Sequence, residues 1–325
     1  MRATARENMT DPTKKSGSEH IPVMTKEVLE LLQCRPGGVF VDSTVGLGGH
    51  AQEILERLQP GGQLIGIDRD RESLELAEAR LKPFGKSVRL VHDNYKNLPL
   101  ILNNLVARPV DGILVDLGVS SHQLLSPERG FSFQSDVMLD MRMDRTQQWT
   151  AADLVNKLSE SELADLIYRY GEERLSRRIA AAIVQERRKT PITRCAQLAA
   201  IVSRVFKVRG HQAIHPATRT FQALRIAVNE ELEGLEGFLS EAFGFLKSGG
   251  RMVVISFHSL EDRIVKKAFR KLAGQCACDA PPELCTCPRQ ELAHLITARP
   301  MTPGPDELAA NPRARSARLR ALERI

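Results

Sequence analysis

The 325-residue sequence predicts an α/β fold: a doubly wound parallel sheet with an all-helical domain inserted into it. Three observations carry that expectation. Short apolar runs alternate with amphipathic stretches up to residue 118, the βαβ rhythm of a parallel sheet with both faces covered. A glycine-rich turn, Thr44–His50, joins the first apolar run to the helix after it, as nucleotide-binding sheets do. From about Ser126 to Arg225 no strand pattern occurs, and the apolar-run signal resumes only at 247–257.

Taken in order, 25–33 reads as a short helix with Val28, Leu29 and Leu32 on one face, closed by Pro36-Gly37-Gly38. Val39–Asp42 is a buried-strand run, 51–58 a helix, and Pro60-Gly61-Gly62 the next break. Gln63–Asp68 is a second strand ending on an acid, 71–82 an amphipathic helix, 88–95 a third strand and 110–118 a fourth. Helical stretches follow at 159–169, 172–189 and 194–207, with Pro191 as a break. A helix is expected to run from Ala217 to about Leu246. Lys247–Phe257 is a turn and a fifth strand, 291–300 contains a sixth, and Asn311–Ile325 reads as an exposed basic tail or short helix.

Composition narrows the function. The chain is 42% apolar and 26% charged, which excludes a collagen-like or mostly disordered chain. No run of apolar residues is long enough for a transmembrane helix, so no membrane partner is expected. The first 20 residues lack an apolar signal core and carry Glu7, Asp11 and Glu19, so they read as a polar, flexible lead-in. Six Cys without an export signal point to a reducing, cytoplasmic setting and to thiols rather than disulfides. The net charge of +6 is unevenly placed. Residues 169–225 hold 13 Lys and Arg against Glu172, Glu173 and Glu186, and residues 311–325 hold five Arg against Glu323. The rest of the chain is acidic. Such basic runs are either solvated helix faces or a footprint for a phosphate backbone.

Gly46, Gly48 and Gly49 let the backbone turn tightly and approach a ligand. Asp68 ends the second strand, where an acid accepts hydrogen bonds from ribose hydroxyls. Together they point to an adenosine-containing cofactor. The dinucleotide pattern G-x-G-x-x-G fails at Ala51, and Asp42 at the end of the first strand would repel a pyrophosphate. A cofactor with a cationic amino-acid end tolerates that carboxylate, which favours S-adenosylmethionine over NAD. A loop cap is the alternative role for Asp42. Asp116 and Gln123 follow the fourth strand, where open α/β sheets bind ligands. Asp116 can accept from an amine and Gln123 can reach the cofactor, unless both serve only to shape the turn. His258, after the fifth strand, is an acid/base or base-stacking candidate, or a packed rim histidine. Glu261 and Asp262 start the next helix, where acids suit the dipole.

The runs VDSTVGLGGH, GIDRD, DLGVSS, RGFSF, HPATRTFQALRIAVNEEL, GGRMVVISFHSLEDR and NPRARSARLR, in that order, resemble the bacterial small-subunit (16S) ribosomal RNA cytosine-N4 methyltransferases, from about His20 to the C-terminus. The resemblance implies a Rossmann-like, S-adenosylmethionine-dependent methyltransferase sheet interrupted by a helical domain. It implies methyl transfer to the exocyclic N4 of a decoding-centre cytidine in small-subunit rRNA. Matched by motif, the cofactor residues are Gly48, Gly49, His50, Asp68, Tyr95, Asp116 and Gln123, with Tyr95 standing where the family usually has Phe. Asp116 and His258 are the catalytic candidates. Arg219, Arg225, Arg313, Arg315, Arg318 and Arg320 are the candidate RNA contacts. Residues 1–20 are then the lead-in, 21–125 and 226–325 the cofactor-binding catalytic domain, and 126–225 the inserted basic domain for RNA recognition. Many amino-methyltransferases carry [DN]-P-P-[FY] after the fourth strand. Here Asp116-Leu117-Gly118-Val119 lacks the aromatic, leaving Phe131, Phe133, Trp149, Phe257 or His258 as stacking candidates.

Cys276-x-Cys278 and Cys285-x-Cys287 form two pairs. Zinc sites more often use Cys-x-x-Cys spacing, so these read as thiols in a proline-rich loop and no metal is assigned, a single tetrahedral zinc being the alternative. Cys34 and Cys195 look structural. The rival functions are a non-catalytic RNA-binding protein, a methyltransferase for another amine, and an NAD-dependent oxidoreductase. The oligomeric state is open, with a homodimer as one candidate.

Overall fold

The computed structural model describes residues 22–105, 109–133, 136–206, 215–278, 280, 284–286 and 289–325. The lead-in expected over 1–20 lies outside them, as does Cys287. Seven strands form one sheet: β1 (Val39–Asp42), β2 (Gln63–Asp68), β3 (Val88–His92), β4 (Val110–Asp116), β5 (Leu246–Ser256), β6 (Ala293–Leu295) and β7 (Arg318–Arg324). Their order is β3-β2-β1-β4-β5-β7-β6. The first five run parallel, and β7 is antiparallel to both its neighbours. The order reverses between β1 and β4, so a crevice opens beyond their carboxyl ends.

The strands are unbroken apolar runs because helices cover both faces. Successive residues feed opposite layers. Phe40, Leu64, Leu114 and Val253 pack with α1 (Thr25–Leu32), α2 (Gly49–Leu58) and α3 (Arg71–Leu81). Val41, Ile65, Ile113 and Val254 face the other way, toward α4 (Leu98–Leu105) and two helices from the second half of the chain.

The insertion lies between β4 and β5. It comprises α5 (Ser121–Leu125), α6 (Ala151–Lys157), α7 (Glu160–Gly171), α8 (Ser176–Arg187), α9 (Cys195–Val205) and α10 (Thr218–Asn229), before α11 (Leu235–Phe243) returns to the sheet. Capping boxes start α6 at Thr150 and α7 at Ser159. The apolar stripes of α6–α10 close on a core of their own, including Val155, Ile167, Ile183, Val202 and Leu224. This core is separate from the two that flank the sheet. Arg129 bolts the parts together. Its side chain is 1% exposed and donates to Asp70 at 3.0 Å, Glu72 at 2.7 Å and the Met143 carbonyl at 2.7 Å. Asn229 adds bonds to the Met143 N–H and the Met141 carbonyl, and Arg69 donates to the Asn229 carbonyl.

Two expectations are corrected. The helix expected from Ala217 to Leu246 is two helices, broken where Glu230 takes φ 50° and Gly234 φ 69°. Leu232 and Leu235 keep the apolar spacing through the break, which disguises it. The C-terminal tail is not exposed. Arg318–Arg324 is β7, paired between β5 and β6, with Leu319, Ala321 and Leu322 buried. Arginines interrupt that apolar run and hid the strand. Helix α12 (Ser259–Leu272) follows β5, and α13 (Pro305–Ala310) precedes β7. No described helix is long and apolar enough to cross a membrane.

Candidate active site

The switch-point crevice is a cleft of about 310 Å³. Its floor is the glycine turn. Gly46 adopts φ 52° and Gly48 φ 77°, a backbone region where a side chain is strained. A Cβ on Gly48 would also lie 3.3 Å from the Leu81 side chain. The turn aims the Gly46 N–H at Asp68 Oδ2, at 2.8 Å, while the Asp70 N–H donates to Oδ1 at 2.9 Å. The Asp68 carboxylate is thereby fixed on the cleft wall with acceptor capacity to spare. Burial pushes its pKa up, and the two N–H groups pull it back only in part.

Two more carboxyls close the acidic wall. Asp42 is 1% exposed, and burial pushes its pKa up to about 7, against the Thr44 N–H bond that lowers it. Asp116 is driven well above the ordinary carboxyl range, first by burial and then by the like charges of Asp42 and Glu261. Asp116 Oδ1 is buried with no hydrogen-bond partner among the described residues. Its Oδ2 lies 3.6 Å from His50 Nδ1. His50 Nε2 sits 2.8 Å from the Val23 carbonyl, which can only accept, so that nitrogen carries the proton and Nδ1 faces Asp116 as a lone pair in the neutral ring.

The structure brings Gly49, His50, Asp68, Tyr95, Asp116 and Gln123 to this one cleft. Gly48, at the head of α2, shapes it from behind. Tyr95 packs edge-on against Phe238, with ring centroids 4.7 Å apart. Gln123 has a second task. Its Nε2 donates to Asp70 at 2.6 Å and its Oε1 accepts from the Ser120 N–H, so most of its amide is committed to capping α5 and holding Asp70.

His258 is redirected. It caps α12, its Nδ1 accepting from the Glu261 N–H at 3.4 Å, and its Nε2 lies 3.2 Å from Glu261 Oε1. It faces a neighbouring groove rather than the acidic cleft. Glu261 is the residue that reaches the cleft from this turn. Burial acts to raise the Glu261 pKa, but His258, Arg225 and the Phe257 N–H outweigh it and hold the pKa low.

The six arginines separate. Arg320 is corrected outright: it is 7% exposed in β7 and bound to Asp262 through Nε at 2.6 Å and Nη2 at 3.2 Å, so it is no surface contact. Arg225 forms a two-pronged pair with Glu231 at 2.9 and 2.8 Å on the cleft wall. Arg313 is exposed at the cleft rim. Arg219, Arg315 and Arg318 line the neighbouring groove with Gln222 and His258, and that groove shares Phe257 and Ser316 with the cleft. Of the stacking candidates, Phe257 lies at the junction, while Phe133 stacks on His215 and Phe131 belongs to the helical core. The sequence reading passed over Arg129, Asn229 and Glu231. Their partners lie far away along the chain or across a helix break, and no local pattern marks them.

A cationic adenosyl ligand suits these residues. The glycine turn and Asp68 fit a ribose, and the clustered carboxyls with one orphaned oxygen fit a positive charge and amine donors. Sheet order, switch-point cleft and acidic wall together define a Rossmann-like, S-adenosylmethionine-dependent methyltransferase. Comparison with known proteins narrows the class. Residues 17–325 match the family model described as the MraW methylase family. A protein of Geobacter sulfurreducens named ribosomal RNA small subunit methyltransferase H is 54% identical over 308 residues, covering 94% of this chain and 99% of its own. One of Pelobacter propionicus with the same name is 52% identical over 312 residues, covering 95% and 100%. Among solved structures, a putative rRNA methylase of Clostridium thermocellum aligns over 93% of this chain and 95% of its own, at 12% identity and a TM-score of 0.41. The chain belongs to the MraW methylase family.

Proposed function

We propose that this chain transfers the methyl group of S-adenosylmethionine to the exocyclic N4 of a decoding-centre cytidine in small-subunit (16S) rRNA, acting in the cytoplasm on the ribosomal subunit. The single observation that carries the chemistry is the Asp116 carboxyl, raised in pKa, with Oδ1 buried and unpartnered at the end of β4. The substrate is supported by the relatives named for small-subunit rRNA and by the basic groove beside the cleft.

When bound, S-adenosylmethionine supplies an electrophilic methyl group. Gly48, Gly49 and His50 form the turn that holds it, Asp68 takes the ribose, and Tyr95 lies beside them for the adenine. The cytosine amino nitrogen is a poor nucleophile because its lone pair is delocalised into the ring. An acceptor that binds an amino hydrogen helps to free that pair. Asp116 is that acceptor, and the raised pKa of its carboxyl suits it to keep the proton once the nitrogen has reacted. The His50 Nδ1 lone pair at 3.6 Å offers that proton a second resting place. Reaching the base requires pulling it from its stack, at a cost of a few kcal/mol. Arg219, Arg315 and Arg318 in the groove and Arg313 at the rim hold the flanking phosphates in that state.

Purified protein incubated with methyl-labelled S-adenosylmethionine and undermethylated small subunits tests the reading by nucleoside analysis of the recovered RNA. Label in N4-methylcytidine is expected. Label in another nucleoside, or none despite measurable cofactor binding, overturns it.

A further inference from the structure

We propose that Cys276, Cys278 and Cys285 bind a structural zinc ion that clips the loop between α12 and the edge strand β6. Their three sulfurs converge, with Cys276 to Cys278 at 3.5 Å, Cys276 to Cys285 at 3.4 Å and Cys278 to Cys285 at 3.6 Å. These spacings are far beyond the ~2.05 Å of a disulfide. They are close to the ~3.8 Å that separates sulfurs arranged tetrahedrally about one ion at ~2.3 Å.

Nothing apolar draws the thiols together. Cys276 is exposed and Cys285 only half-buried, and the neighbouring Leu284 is 68% exposed. Three surface thiols meeting on a polar loop need a common partner, and a soft divalent cation is the one their chemistry selects. Zinc is favoured over an iron–sulfur cluster because a cluster seats each thiolate on its own iron, which spreads the sulfurs farther apart than around a single ion. Each thiol that ligates gives its proton to solvent, so affinity falls as pH falls. Spacing alone assigns no metal to these cysteines; the distances reverse that reading.

The location gives the ion a task. The Leu292 N–H donates to the Leu272 carbonyl at 2.8 Å and Ala273 bridges Glu291, which closes the base of the loop. Beyond the base, the described backbone bonds of the segment are local ones, from Gly274 to Lys271 and from Gln275 to Arg270. The loop feeds β6, which is three residues long and pairs only with β7. A metal clip shortens the free loop and holds that edge. Helix α12 starts beside the cleft and carries the chain roughly 20 Å away before the loop begins, so the ion takes no part in methyl transfer.

The test is metal analysis of the full chain, purified without chelator and incubated with zinc under reductant, alongside cobalt substitution. The expected results are one zinc per chain and the intense visible bands of tetrahedral cobalt with a thiolate charge-transfer band. Cys276→Ser and Cys285→Ser each lower zinc affinity at least about tenfold, while S-adenosylmethionine binding, which reports folding, stays within about twofold. Substoichiometric zinc after reconstitution, iron in its place, or a weak octahedral cobalt spectrum overturns the proposal.

Discussion

Asp42 shows how one buried carboxyl sets the behaviour of the cleft. With its pKa near 7, it is largely neutral below that pH and charged above it. Only the charged form attracts a cation. S-adenosylmethionine affinity is therefore expected to rise from pH 6 to pH 8, with protons released on binding at pH 7. Calorimetry in two buffers of different ionisation enthalpy reads that release, and a pH-independent affinity contradicts it. The stability of the unliganded protein moves the opposite way. Because the folded pKa lies above the ordinary 3.8, the burden of charging Asp42 is absent below about pH 4 and complete above pH 7. Asp42→Asn should raise the unliganded Tm at pH 8 and leave it nearly unchanged at pH 4, while weakening cofactor binding at pH 8. Residues whose role follows from local spacing, such as Gly48 and Asp68, are legible in sequence. Gln123, His258 and Arg320 are not. Asp70 and Asp262 draw two of them to structural work from more than fifty residues away, and His258 turns to its own helix start.

At the scale of elements, the helical insertion is held to the sheet by a buried polar knot. Arg129 gathers Asp70, Glu72 and two carbonyls, and Asp70 in turn orients Gln123 at the cleft. Removing the guanidinium leaves Asp70 buried without its main countercharge, a loss on the order of 3–5 kcal/mol. Arg129→Ala should lower stability by about that much in denaturant melts and weaken cofactor binding as well. A loss under about 1 kcal/mol would mean that the knot relaxes freely. The parallel half of the sheet was readable because strands covered on both faces are written as apolar runs. The rest was not, for identifiable reasons. At Glu230–Gly234 the apolar spacing carries on through a break that only left-handed backbone reveals. In β7 the arginines look like surface until Asp262 is seen beneath Arg320 and the Gly244 and Leu246 carbonyls within reach of Arg324.

Across the whole molecule, charge is sorted by task. The acids gather in the cleft, and Arg219, Arg315 and Arg318 line the groove next to it. RNA binding should weaken steeply with salt, as counterion release requires. Arg315→Ala should reduce the slope of log affinity against log salt by about 1, whereas Arg320→Met should leave the slope unchanged and lower stability instead. Equal slopes for all three proteins contradict the division between groove and core arginines. The basic excess was visible in composition, but its split into exposed and buried members depends on β7 and was not.

The central claim is that the Asp116 carboxyl aims and deprotonates the target amine. Single-turnover methylation of undermethylated small subunits, read by nucleoside mass spectrometry at saturating cofactor, tests it most directly. Wild-type protein should yield N4-methylcytidine, and Asp116→Asn should form it about 10²–10³-fold more slowly with its cofactor site filled. The same nucleoside formed by the variant at a rate within threefold of wild type would contradict the account.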